Sequence, residues 1–193
     1  MGIQPESFMK TPPASDGIEK TFRIELTRRD DVRTASVTET FKSFGVTGVE
    51  QMVIKDVYYV SGALSPAQAE RIASELLCDG VVETYRLAEP EGFEILYNPG
   101  VTDPREESVR KAIHDLGIDV KRVRTGTNYI ITGTFDEERL KQSAALFLYN
   151  PLIQHIRRAR EKPRERTAYT LENQEIGLEG DLLAISRDMG LSL

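Results

Sequence analysis

Apolar residues recur in the same order twice along this chain, and the second occurrence is the easier to read. Phe93-Glu-Ile-Leu-Tyr97 partly alternates, as a strand does, and stops at Asn98-Pro-Gly100, where turn chemistry ends it. Asp103 then stands where a helix cap is needed, with Pro104 at the first helical position and Glu106 three residues after the cap. That is an acidic form of the capping box. Val109, Ala112, Ile113 and Leu116 follow at i, i+3, i+4 and i+7, one face of a helix, and Gly117 is its stop. A strand over 119–125, a turn at Gly126-Thr-Asn128 and a β-rich run over 129–132 come next. Asp136 caps a second helix with Leu140, Ala144, Phe147 and Leu148 on one face. Asn150-Pro151 ends it, and 152–157 reads as a closing strand.

The first occurrence gives the same instructions with other residues. Residues 22–86 align with 93–157 at a shift of 71 positions (93 − 22), through two small gaps that cancel. Phe22-Arg-Ile matches Phe93-Glu-Ile, Phe44-Gly-Val matches Leu116-Gly-Ile, and Tyr58-Tyr-Val-Ser-Gly62 matches Tyr129-Ile-Ile-Thr-Gly133. Val37, Phe41 and Phe44 mark its first helix. Ser65-Pro-Ala-Gln68 is a capping box opening the second, with Ala69, Ile72, Ala73, Leu76 and Leu77 inward. A fixed internal period means one unit duplicated.

Each repeat therefore reads strand, helix, strand, strand, helix, strand. This order predicts an α+β fold of two tandem βαββαβ-like units, helices on one face of a mostly antiparallel sheet. One unit alone has two helices to cover a sheet face, so the two are expected to pair as a pseudo-dimer across the short linker 88–92. The expected organisation is a flexible leader over 1–20, repeats over 21–88 and 92–160, and a linker over 161–180. A helix at 181–193, with Leu182, Ile185 and Met189 at helical spacing, is expected to lead into a further region.

Composition narrows the function. The net charge of −6 disfavours a general nucleic-acid binder. One cysteine, Cys78, permits no intrachain disulfide and suits a cytoplasmic protein. No apolar run approaches the roughly 20 residues that cross a bilayer, and residues 1–20 lack the apolar core of a secretory signal. The basic run 157–166 reads as a solvated linker.

Catalytic patterns are missing. His114 and His155 lie in unrelated elements and have no metal-ligand spacing with Cys78. Asp30-Asp31 and Glu106-Glu107 are adjacent acids, whose side chains splay apart rather than form an acid/base pair. No glycine-rich nucleotide motif is present. Tyr58, Tyr59 and Tyr129 raise RNA recognition by strand aromatics, but no Arg or Lys accompanies them on 57–62 or 128–133. Packing is the better reading of these tyrosines. No catalytic residue, metal or cofactor is assigned.

The second repeat resembles the small PurS subunit of phosphoribosylformylglycinamidine synthase. The likeness rests on Asn98-Pro-Gly-Val-Thr-Asp-Pro104, Glu107-Ser-Val-Arg-Lys-Ala-Ile-His-Asp-Leu-Gly117, Val120-Lys-Arg-Val-Arg-Thr-Gly126 and Leu148-Tyr-Asn-Pro-Leu-Ile-Gln154. Thr127 departs from the family pattern, which often has lysine there, and the first repeat lacks the Pro-Gly loop. Residues 181–193 look like the lead-in helix of the large synthetase subunit.

The resemblance implies a non-catalytic assembly module of a glutamine-dependent, ATP-using ligase of purine biosynthesis. Its implied partners are the synthetase (PurL-type) and glutaminase (PurQ-type) parts, with self-association possible through the sheets and neither nucleic acid nor membrane involved. Partner contacts are expected at Asn98, Pro99, Gly100, Asp103, Pro104, Arg124, Gly126 and Asn128, because loops on a rigid scaffold carry binding residues. The alternative is a tandem ACT-like sensor of a small molecule, held between paired units.

Overall fold

The computed structural model describes residues 18–159. Its elements run β1 (Lys20–Arg28), α1 (Val32–Ser43), β2 (Val49–Gly62), α2 (Pro66–Arg71, continued by a π-helical turn Ile72–Leu77) and β3 (Glu83–Leu87). The second repeat follows as β4 (Phe93–Tyr97), α3 (Glu106–Asp115), β5 (Arg122–Gly133), α4 (Glu137–Phe147) and β6 (Gln154–Arg158). The strands form one antiparallel sheet in the order β3-β1-β2-β5-β4-β6. The fold is α+β, and the two repeats pair as expected, through the shared β2–β5 strand pair. Among the described residues no helix is long and apolar enough to cross a membrane.

Strand count needs one correction. The turn expected at Gly126-Thr-Asn128 is absent, and the strands foreseen on either side of it are the single strand β5. Each repeat is βαβαβ, and β2 in the first is equally continuous over 14 residues. Gly126 does not have a positive φ. Its missing side chain answers a different need: a Cβ there would lie 2.4 Å from Leu96 Cδ2 and 2.6 Å from the Ile95 carbonyl oxygen. Glycine here allows close approach within a strand.

The registers also correct the alignment. β2 pairs β5 with Asp56 opposite Thr127, two positions related by the 71-residue shift (127 − 56), so a pseudo-two-fold axis passes between them. In the first strands, however, Ile24 faces Tyr58 as Phe93 faces Tyr129. The shift there is 69 (93 − 24), so Ile24, not Phe22, is the counterpart of Phe93.

Local signals account for most helix ends. Ser65 and Gln68 form the capping box, and Asp136 accepts from the backbone of Glu138 and Arg139. Asp31 caps α1. Helix α3 starts later than its sequence suggests, at Glu106, because the Asp103 carboxylate is shared between Arg105 N and β5.

Alternation along the strands puts Ile24, Leu26, Ile54, Val60, Ile95, Val123 and Tyr129 on one face, and all the described helices pack there. Two cores result, and each is assembled from both repeats. One joins Ile72 and Ala73 of the first repeat to Ile113, Ile118 and Val123 of the second. The other joins Phe41, Val46 and Ile54 to Ile95, Tyr129, Leu140 and Ala144. Phe41 is fully buried, its ring edge-on to Phe147 at 4.9 Å. Neither repeat owns a complete core.

Residues 92–159 expressed alone should therefore give no cooperatively folded monomer. Light scattering and circular dichroism should find either an unfolded chain or a dimer, and adding residues 18–91 should restore the native pair. A stable monomer with a cooperative unfolding transition would refute the shared cores.

A candidate binding face on the helix-free side of the sheet

The opposite face of the sheet carries Arg23 and Glu25 of β1, Lys55, Val57 and Tyr59 of β2, and Arg122, Arg124 and Asn128 of β5. Glu94 of β4 and His155 and Arg157 of β6 complete it. Among the described residues no helix packs here, yet Glu94 is 0% and Glu25 2% exposed. The sheet curls to cover them. In a flat sheet β1 and β4 would stand about 14 Å apart, three strand spacings. Arg23 Nε nevertheless donates to Glu94 Oε1 at 2.8 Å. The linker 88–92 runs over the same side, since Arg23 Nη1 donates to the Ala88 carbonyl at 2.9 Å.

Glu94 is the hub. It accepts from Arg23, from the Tyr59 hydroxyl at 2.7 Å and from Arg157 Nε at 3.1 Å, and Arg157 Nη2 bonds both Glu94 and Tyr59. The Arg157 guanidinium also lies 4.7 Å from the centre of the Tyr59 ring, a cation–π contact. Arg157 thus leaves the solvated run that its basic neighbours suggest and becomes a buried residue. Glu25, the structural counterpart of Glu94, binds Arg23 Nη1 at 2.8 Å and Lys55 Nζ at 2.6 Å. Burial alone would raise the Glu25 pKa, but the hydrogen bonds from Lys55 and Arg23 hold it below the ordinary carboxyl range. Burial beside Glu94 pushes the Tyr59 phenol well up, so it stays a neutral donor.

The eight residues expected to meet partners divide into two groups. Asn98, Pro99 and Gly100 form a tight turn closed by Val101 N to the Asn98 carbonyl at 3.0 Å, with Gly100 at φ +93° as a type II turn requires. This turn is pinned to the next loop: Asn98 N donates to the Ile153 carbonyl, and Asn98 Oδ1 meets His155 Nδ1 at 3.0 Å. Pro104 is exposed beyond it, and Arg124 Nη2 reaches back to the Tyr97 carbonyl at 2.9 Å. Exposed Leu152 and Ile153 flank the same end. Asp103, Gly126 and Asn128 lie inside. Asp103 is 4% exposed and accepts from the Thr125 backbone and hydroxyl. Asn128 is fully buried, and among the described residues its amide N and O have no partner.

Sequence reasoning missed Tyr59, Glu94 and Arg157 as a group. Their one sequence signal was a charge inside each apolar strand, Arg23 and Glu25 in β1 and Glu94 in β4. The histidines do not converge: His114 is exposed on α3, 3.8 Å from Asp119. Among the described residues no group of three or more His, Cys, Asp or Glu could hold a metal ion.

The structure so far defines a duplicated α+β unit closed on itself by a central strand pair, with a polar concave face and a turn-rich rim. Residues 93–162 match the family model described as PurS, Phosphoribosylformylglycinamidine (FGAM) synthase. The match covers β4 to β6, so the second repeat is PurS-like, which ties the chain to FGAM synthase of purine biosynthesis. No curated protein matches the chain.

Two substitutions test the network. Glu94→Ala leaves Arg23 and Arg157 buried without their carboxylate and should cost about 3–5 kcal/mol. Tyr59→Phe removes the hydroxyl that donates to Glu94 and accepts from Arg23 and Arg157 but leaves the ion pairs in place, and should cost about 1.5–3 kcal/mol. Urea unfolding measures both, and equal costs would contradict the hub role of Glu94.

Acid should weaken the fold in part through Glu25. Because its folded pKa is depressed, its contribution is complete above the ordinary carboxyl value of 4.5 and is lost as pH falls through the lower folded value. Glu25→Gln should therefore flatten the fall in unfolding free energy as the pH drops below the ordinary carboxyl value of 4.5. An unchanged slope would count against it.

Proposed function

We propose that this chain is a non-catalytic assembly module of FGAM synthase, joining the synthetase and glutaminase parts so that ammonia passes between them in the cytoplasm. The observation that carries this reading is the PurS match over a complete repeat inside a covalent pseudo-dimer. A PurS component implies a complex with other FGAM synthase subunits. On this reading the first repeat, 21–88, is a diverged PurS copy that completes the pair for the second, 92–160. The fold favours a scaffold: two rigid cores hold the turn 98–100, Pro104 and Arg124 at one rim, with apolar Leu152 and Ile153 beside them. Rigid scaffolds presenting loops suit partner recognition. The expected leader over 1–20, the linker 161–180 and the helix 181–193 fall wholly or mainly outside the described residues.

The test is amidation of formylglycinamide ribonucleotide by the synthetase and glutaminase parts, with and without this chain. Glutamine-driven turnover should fall at least about tenfold without it, about 1.4 kcal/mol in the barrier. Ammonia-driven turnover should hold. Loss of both, or of neither, contradicts the assembly role. A sensor would instead show thermal stabilisation by a metabolite with no partner present.

A further inference from the structure

We infer that Arg122 and Arg124 form a binding site for an oxyanion, a carboxylate or phosphate group, at the Ser61–Arg122 end of the helix-free face. The two residues are next-nearest neighbours on β5, so their side chains leave the same face about 7 Å apart. In register Arg122 stands opposite Ser61 and Arg124 opposite Tyr59. Both are partly buried. The deeper cations of this face, Arg23, Lys55 and Arg157, each hold a glutamate. Arg122 and Arg124 do not: among the described residues neither has a carboxylate in ion-pair contact.

Donor capacity is left over. A guanidinium has five N–H donors. Arg124 commits one, to the Tyr97 carbonyl. Crowding points the same way. Burial and then the like charges of Arg122 and Arg157 act to discharge Arg124, and Asp103 and Glu106 offset this only from a distance. An oxyanion accepting from both guanidiniums would relieve that repulsion and use the forked donors, the geometry in which arginine binds such groups best.

The fold does not require these charges. The pseudo-two-fold counterparts of Arg122 and Arg124 are Gln51 and Val53, in the same strand pairing. The first repeat builds the equivalent strand without either cation, so the second carries them for another purpose. A failed titration would leave the assembly role standing, since that role is read from glutamine-driven turnover with the partner parts and not from oxyanion binding.

The experiment is calorimetric titration of the full chain at low ionic strength with two probes, inorganic phosphate and a hexaglutamate peptide. At least one should bind. Arg122→Gln and Arg124→Gln should each weaken binding roughly tenfold, as loss of a charge-assisted hydrogen bond does. The double variant should abolish it. Arg110→Gln, on the exposed face of α3, should leave it intact, and unaltered circular dichroism would show each variant folded. Binding of phosphate alone identifies a phosphate-bearing ligand. Binding of the peptide alone identifies an acidic segment of a partner. No binding of either probe, or equal binding by the double variant or by both singles, overturns the site.

Discussion

Pairing of β2 with β5 is the constraint on which the rest of the molecule depends. It joins the repeats through the two longest strands, and the axis between Asp56 and Thr127 relates everything on either side. Its register is held by alternation. A slip of one residue would turn Ile54, Val60, Val123 and Tyr129 away from the helices and press Lys55 and Arg124 into them. Because α1 packs with α4, and α3 with the π-helical end of α2, such a slip would empty both cores together. The two repeats are therefore one cooperative structure, not two tethered ones.

The second face solves its burial problem differently. With none of the described helices above it, an apolar surface there would be left wet, and the sheet instead curls around charges that satisfy one another. Arg23, Lys55 and Arg157 answer Glu25 and Glu94. Charges buried this way add little net stability, since desolvation offsets most of their attraction. What they add is geometry: Arg23 meets Glu94 across two intervening strands at one curvature, and any flatter sheet strands both. The Asp31–Arg33–Asp56 group does similar work at the axis, where Arg33 Nη2 lies 2.6 Å from Asp31 and 3.0 Å from Asp56. Polar contacts thus mark the seam between the two apolar cores.

What the sequence made legible was local. Helix faces such as Val109–Ile113 and Leu140–Ala144 are fixed by spacing, and the Ser65 and Asp136 caps by residues within one turn. What stayed hidden was non-local. Gly126 looks alike whether glycine serves a turn or admits Leu96 from the neighbouring strand, and nothing within a few residues distinguishes the two. The centre of β5 is also polar on both faces, Thr127 at the axis and Asn128 beneath the charges, so the expected apolar continuity of a strand is broken there. Arg157 read as solvated because its partner Glu94 lies in another strand. At the rim, Asn98 and Arg124 were each legible as candidates, but only strand register brings them to the same end.

Covalent linkage of two like-folded halves also explains why they differ where they do. In a symmetric dimer every substitution appears twice, so a cation near the axis meets its own copy. Joined in one chain, the halves can diverge at matched positions. Asn128 occupies the place of Val57, and both are fully buried. The buried amide is thus no requirement of the fold, and an unpartnered one costs about 1–3 kcal/mol. Arg122 and Arg124 replace Gln51 and Val53, and Tyr59 replaces Ile130. These departures gather on the helix-free face, whereas the helix-facing counterparts Ile54 and Thr125, Met52 and Val123, and Val60 and Ile131 keep small or apolar character. Packing restrains one face equally in both repeats, while the other is free to specialise, and the second repeat has used that freedom to concentrate positive charge at one end.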